Sequence, residues 1–198
     1  MTGWHKEDYD RRDARGALEK GWSYFDPVNG DQKIGWQNID GKWYYLTRSG
    51  ALIGEQYMDG KSYYFDPVNG DMKTGWISNP GYSGTEWNYY DPVSGEKATG
   101  WRNIDGKWYY LSEFGARFGA QNINGKHYYF DPVNSDMQTG WISKQGQRGL
   151  EWYYYDPESG AQVSGWQTID GKTYCFDEFG KALAGHWILD EGKHYYFD

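Results

Sequence analysis

A twelve-residue stretch that returns at a fixed interval marks a chain built on a repeat, which has to be settled before any single core is assumed. The stretch "GWQNIDGKWYYL" begins at Gly35, returns as "GWRNIDGKWYYL" at Gly100, and returns again as "GWQTIDGKTYCF" at Gly165, a period of 65 residues. A fixed period of this kind marks an array whose units bury surface mainly against their neighbours. Glycine landmarks divide the period further, because Gly35, Gly54, Gly75, Gly100, Gly119, Gly140, Gly165 and Gly185 are spaced 19, 21, 25, 19, 21, 25 and 20 apart. Three unit types therefore alternate.

Each unit reads as a β-hairpin: a strand opening at Gly-Trp, a turn such as "IDGK" or "INGK", and a strand such as "WYYL" or "YYFD". Asp-Gly or Asn-Gly between aromatic and β-branched runs is the strongest local hairpin signal. The punctuation "DPVNGD" or "DPESG" then ends the second strand with proline and Asx-turn chemistry. No extended apolar period of 3.6 is present, so an all-β chain is expected. A lone hairpin is marginal in water, and stacking hairpin on hairpin is the physical remedy.

The array is expected to run over residues 10–198, with units from about 10, 35, 54, 75, 100, 119, 140, 165 and 185. The start at Asp10 follows from register, since Trp22 stands 65 before Trp87 and Gly16 matches Gly81 and Gly146. Residues 1–9, including Trp4, then become a frayed edge or a cap.

Composition narrows the functional classes. Aromatic residues make up 20% of the chain and glycines number 28, while the net charge is −8 without a Lys/Arg cluster. That balance argues against nucleic acid or an anionic membrane as partner and favours a cationic ligand. No apolar run is long enough to span a bilayer, and "MTGWHKEDYD" is not a signal peptide. If the protein is secreted, its targeting segment has been removed or lies elsewhere. A single cysteine, Cys175, excludes an internal disulfide framework and a cysteine zinc site. His5, His127, His186 and His194 have no nucleophile or carboxylate partner in motif form, so no catalytic role is expected of this chain. The acidic turns at Asp26–Asp31 and Asp66–Asp71 bring oxygen ligands together, but their spacing is not that of an EF-hand, and Asx turns are expected in place of calcium sites.

The motif "TGW…GKWYYL…G" in units of about twenty residues resembles the choline-binding, or cell-wall-binding, repeats of Gram-positive surface proteins and phage lysins. The resemblance covers residues 10–198. It implies a β-solenoid of stacked hairpins, three to a turn, so that the three-unit period equals one turn. It also implies a choline held between consecutive hairpins by the Gly-Trp tryptophan, the second-strand tryptophan, a tyrosine of the next hairpin and often a methionine. The physics is general: a quaternary ammonium has no N–H to donate, so ring faces must hold it, at about 0.5–2 kcal/mol per contact.

Four tryptophan pairs are complete: Trp36 with Trp43, Trp76 with Trp87, Trp101 with Trp108, and Trp141 with Trp152. The Gly54 and Gly119 units carry Glu55 with Ser62 and Ala120 with His127 in those places, so they can close a cage but not open one. Met72 and Met137 follow in the closing units. Strand alternation selects Tyr63, Tyr109, Tyr128 and Tyr174 as third walls over the adjacent tyrosines, an assignment that the sequence leaves open. Trp166 faces Thr173, so its unit should bind poorly even with Tyr195 following. Tyr45, Tyr64, Tyr110, Leu46, Phe65 and Leu111 are expected as core, where cross-strand aromatic pairs also belong.

The expected partner is choline or phosphocholine on teichoic or lipoteichoic acid, at the extracellular cell wall. The alternatives are a glucan-binding array, because "GAQNINGKHYYFD" from Gly119 also resembles glucan-binding and clostridial toxin repeats, and a structural spacer whose cages are vestigial.

Overall fold

The computed structural model describes residues 1–6, 11–12, 18–19, 21–81, 84–147 and 149–197, and the chain divides into two compact halves, Met1–Thr99 and Gly100–Asp198. Among the described residues there is no α-helix, and no helix long and apolar enough to cross a membrane. The fold is all-β, built of small separate antiparallel sheets that are each one hairpin, some with a short third strand.

In the first half, Gly3–Lys6 pairs with Trp22–Phe25, Gly35–Ile39 with Lys42–Thr47, Gly54–Met58 with Lys61–Phe65, and Gly75–Gly81 with Gly84–Tyr90. A short pair, Arg11–Arg12 with Leu18–Glu19, lies inside the first connection. In the second half, Gly100–Ile104 pairs with Lys107–Ser112, Gly119–Ile123 with Lys126–Phe130, and Gly140–Gly146 with Gly149–Tyr155. Gly165–Ile169 with Lys172–Phe176 and His186–Asp190 with Lys193–Phe197 complete it. Each hairpin is named below by its opening glycine.

The local sequence explains the hairpins. At "IDGK" the two central residues both take positive φ, with Asp40 at 51° and Gly41 at 78°, the type I′ turn whose twist matches the strands. The opening glycine is also left-handed, as at Gly100 with φ 74°, which aims the following tryptophan onto one face of the hairpin. After the second strand, Asp66 Oδ1 accepts from the Val68 and Asn69 backbone N–H groups at 2.8 and 2.9 Å, and Asp131 Oδ1 does the same for Val133 and Asn134 at 2.8 Å each. These Asx turns direct the chain into the next hairpin.

The turn carboxylates are thus engaged by backbone N–H groups, and Asp26 also by Lys33 at 2.5 Å, an arrangement that suits a turn better than a calcium shell. Within each half, the connection after one hairpin bonds back to the hairpin before it. Lys97 N–H donates to the Ser62 carbonyl at 2.8 Å, and Gln162 N–H to the His127 carbonyl at 2.8 Å.

The core is serial. Its most deeply buried large side chains stand opposite the opening glycines: Leu46, Phe65 and Tyr90 in the first half, and Leu111, Phe130, Tyr155 and Phe176 in the second, all at most 2% exposed. Burying each of these contributes roughly 1.5–3 kcal/mol. Leu46, Phe65 and Leu111 lie in the core as expected, whereas Tyr45, Tyr64 and Tyr110 are only half-buried. Strand alternation is the reason: these tyrosines share the face of the tryptophans, while Tyr44 and Tyr109, on the opposite face, are buried.

The N-terminal hairpin departs most from the expected register. The expected start at Asp10 and the match of Gly16 lie outside the described residues. Gly3–Lys6 is paired along its length, where the sequence reading has a frayed edge or a cap. Gly3 stands opposite Phe25 and Trp4 opposite Tyr24, as Gly75 stands opposite Tyr90 and Trp76 opposite Tyr89. Gly3 also has the left-handed φ of an opening glycine, 76°. The first Gly-Trp is therefore Gly3-Trp4, and its hairpin carries a connection seven residues longer than that of the Gly75 hairpin.

A candidate ring cage between consecutive hairpins

In the Gly35 hairpin, Trp36 and Asn38 share a face, and Asn38 stands opposite Trp43. The two indoles meet edge to face, with centroids 6.4 Å apart and planes at 79°. The Gly100 hairpin repeats the geometry with Trp101 and Trp108 at 6.4 Å and 79°, and the Gly140 hairpin with Trp141 and Trp152 at 6.5 Å and 77°. Each pair forms a corner of two ring faces, and the corner is open: Trp36 is 37% exposed, Trp43, Trp108 and Trp152 each 46%.

The next hairpin supplies a third ring. Tyr63 lies 5.0 Å from Trp36 at 68°, Tyr128 lies 4.8 Å from Trp101 at 67°, and Tyr174 lies 4.8 Å from Trp141 at 65°. Each of these tyrosines stands on the face opposite its own hairpin's tryptophan positions. The other tyrosines flank the first indole from within its own hairpin, Tyr45 at 5.4 Å from Trp36 and Tyr110 at 5.3 Å from Trp101. Phe65, Phe130 and Phe176 close the floor at 5.8, 5.7 and 5.7 Å from the same indoles.

Met137 packs on the cluster of Ile123, Tyr128 and Phe130 that Trp101 also joins. Met72 stands opposite Phe65 in the ladder, and its thioether occupies the space that a side chain at Gly95 would fill. Met137 and Gly160 repeat that fit. The left-handed backbone of Gly95 and Gly160, φ 74° and 70°, favours glycine there, and the missing side chain leaves the thioether its room.

Trp76 and Trp87 share the forward face of the Gly75 hairpin, Trp87 opposite Ser78, and Trp76 packs on Tyr89 at 5.1 Å. Tyr109 belongs to the second half, where it is 8% exposed, and burial raises the pKa of its hydroxyl above the ordinary tyrosine value. Trp166 meets Tyr195 at 4.9 Å, with Thr173 opposite Thr168 where a second indole stands in other hairpins.

Three residues that the sequence reading left aside form the same constellation. Trp4 and Trp22 stand 6.5 Å apart at 89°, and Tyr44 of the next hairpin lies 4.7 Å from Trp4. The signal was present as Gly3-Trp4 ahead of Trp22. It was obscured because the long connection breaks the equal spacing on which the register rests. This cage differs in one respect: the Lys6 ammonium lies over Trp22, 5.2 Å from the ring, where the other hairpins with two tryptophans carry serine or asparagine.

Chemically, such a corner presents π faces and few donors, which suits a cation without N–H groups. The acidic turns and net charge of −8 favour the same sign of ligand. Among the described residues, no group of three or more His, Cys, Asp or Glu side chains could hold a metal ion.

Comparison with known proteins agrees with these features. The choline-binding repeat model matches residues 33–74, 52–99, 118–164 and 163–198, and a putative cell wall binding repeat matches residues 99–114. CbpJ of Streptococcus pneumoniae superposes with a TM-score of 0.80 at 26% identity, over 100% of this chain and 70% of that one. Choline binding protein F of the same organism, crystallised in the presence of a peptidoglycan analogue, superposes with a TM-score of 0.75 at 29% identity, over 95% of this chain and 67% of that one. Glucosyltransferase-S of Streptococcus mutans is 31% identical over 88% of this chain, which spans 12% of that protein's length. Repeat models cover most of the sequence, and the chain belongs to the choline-binding repeat family.

Proposed function

We propose that this chain is a non-catalytic module that recognises choline on phosphocholine-substituted teichoic or lipoteichoic acid and so holds a protein at the outer face of a Gram-positive cell wall. The observation that carries the reading is the half-exposed indole corner with a tyrosine of the next hairpin against it, repeated at Trp36–Trp43–Tyr63, Trp101–Trp108–Tyr128 and Trp141–Trp152–Tyr174. Trp4–Trp22–Tyr44 is proposed as a further cage, and Trp76 with Trp87 as two walls of another. Met72 and Met137 line the closing hairpins of their cages through soft, polarizable sulfur. Stacking of the hairpins as a β-solenoid, three to a turn, is proposed on the 65-residue period.

A second reading is favoured by one observation, the 31% identity with glucosyltransferase-S over 88% of the chain. In it, the same rings stack on the sugars of a glucan. Calorimetry separates the two. Saturable heat with choline, reproduced by tetramethylammonium, is expected, with no heat from an isomalto-oligosaccharide. Heat from the oligosaccharide and silence toward both cations would transfer the rings to sugar stacking.

A further inference from the structure

The junction between the Gly119 and Gly140 hairpins has no tryptophan corner, because Ala120 and His127 occupy the tryptophan places. It nevertheless contains a ring box. Tyr129, on the tryptophan face of the Gly119 hairpin, meets Tyr155 of the next hairpin at 6.0 Å. Tyr153 and Tyr155 share the backward face of the Gly140 hairpin with Lys144, since Ile142 stands opposite Tyr153 and Lys144 opposite Glu151.

The Lys144 ammonium lies 4.4 Å from the Tyr153 ring centroid, 4.8 Å from Tyr129 and 5.5 Å from Tyr155, and donates to the Tyr155 hydroxyl at 3.0 Å. Among the described residues it pairs with no carboxylate. The nearest carboxylate in the ladder, Glu151, is taken by the Lys181 ammonium at 2.8 Å and the Tyr153 hydroxyl at 3.0 Å. Burial lowers the pKa of Lys144, the cost that ring faces offset for a cation removed from water.

The other half provides an internal comparison. At the equivalent junction Asn79 replaces Lys144 and Asn88 replaces Tyr153, so the cation and its ring change together. Asn88 is buried there, and Glu55 with Lys97 forms an ion pair at 2.8 Å. The two junctions therefore fill a tryptophan-free space in different ways, one with an ion pair and one with a cation on rings.

We propose that Tyr129, Tyr153 and Tyr155 form an additional alkylammonium site, occupied by the chain's own Lys144 and closed to external ligand while that side chain is in place. The inference rests on the reading that ring cages in this array hold alkylammonium ions. It goes beyond that reading by placing a cage at a junction without tryptophans and by naming its resident ligand.

The test titrates the intact chain and its Lys144→Ala variant with tetramethylammonium by calorimetry. The variant is expected to take up one more equivalent than the unaltered chain, and Tyr153→Ala in the same background is expected to remove it. A folded Lys144→Ala variant with unchanged stoichiometry overturns the site. A second measurement applies even if that variant does not fold. In the unaltered chain, ring currents should place the Lys144 ε-methylene protons upfield of other lysines and leave them there at choline concentrations that fill the other cages. Ordinary shifts, or displacement by choline, overturn the closed cage. Failure of the choline reading is distinct: the unaltered chain is then silent toward tetramethylammonium, whatever the position of the Lys144 resonance.

Discussion

At the scale of the residue, Trp108 and Leu111 lie on one strand and serve different purposes. Trp108 is 46% exposed and forms one wall of the proposed cage with Trp101, so Trp108→Ala should remove one choline equivalent with little effect on unfolding. Leu111 is 2% exposed, and Leu111→Ala should cost about 2–5 kcal/mol. A choline titration beside a denaturant melt checks both; loss of every site in Trp108→Ala would show that the cages are not independent. Lys6 already rests a cation on Trp22, so Lys6→Ala should tighten choline binding at the first cage and leave the others unchanged. Much of this was legible in the sequence, because a period of two along the second strand separates forward from backward rings. The half-burial of Tyr45, Tyr64 and Tyr110 was not, since composition alone does not tell a ring beside a cage from a ring beneath it. Trp4 was missed for a different reason, an inserted connection that shifts spacing without changing pairing.

At the scale of the element, the turns carry the most specific chemistry. Ser135 takes a left-handed φ of 62° at the place where Gly30, Gly70, Gly95 and Gly160 stand in the other turns. Ser135→Gly should therefore stabilise the chain by about 1 kcal/mol, read as a raised unfolding midpoint. The Asx turns add a pH dependence. Lys33 and the Val28 and Asn29 backbone N–H groups hold the Asp26 carboxyl at about 2, below its ordinary 3.8, and backbone N–H groups lower Asp66 and Asp131 in the same direction. A carboxyl depressed in the folded state contributes stability above its unfolded pKa and loses it as pH falls through the folded value. Stability from the Asp26 turn should thus be intact above about pH 4 and decline toward pH 2, and Asp26→Asn should remove that part of the decline in an acid titration of the melting temperature. These turns were plain in "IDGK" and "DPVNGD", because only a few residue types tolerate such backbone angles. The left-handed serine was not, since serine carries no signal of its own for positive φ.

At the scale of the whole molecule, the proposed function depends on number. A single corner with three rings offers a few contacts of roughly 0.5–2 kcal/mol each, which is a weak site once the entropy of capture is subtracted. A polymer bearing many cholines changes the arithmetic, because after the first cage is filled the next choline is presented at an effective concentration set by the polymer, in the millimolar range for short flexible connections. Retention on a phosphocholine polymer should therefore fall more steeply than the count of cages. Trp43→Ala with Trp108→Ala removes one corner from each half and leaves the remaining indoles untouched. Free choline should then bind the surviving cages with unchanged affinity, while the concentration of choline needed to elute the chain from the polymer drops by much more than the fraction of sites lost. A drop in simple proportion would mean that each cage captures a separate strand. The repeat would then be explained by capacity and not by grip.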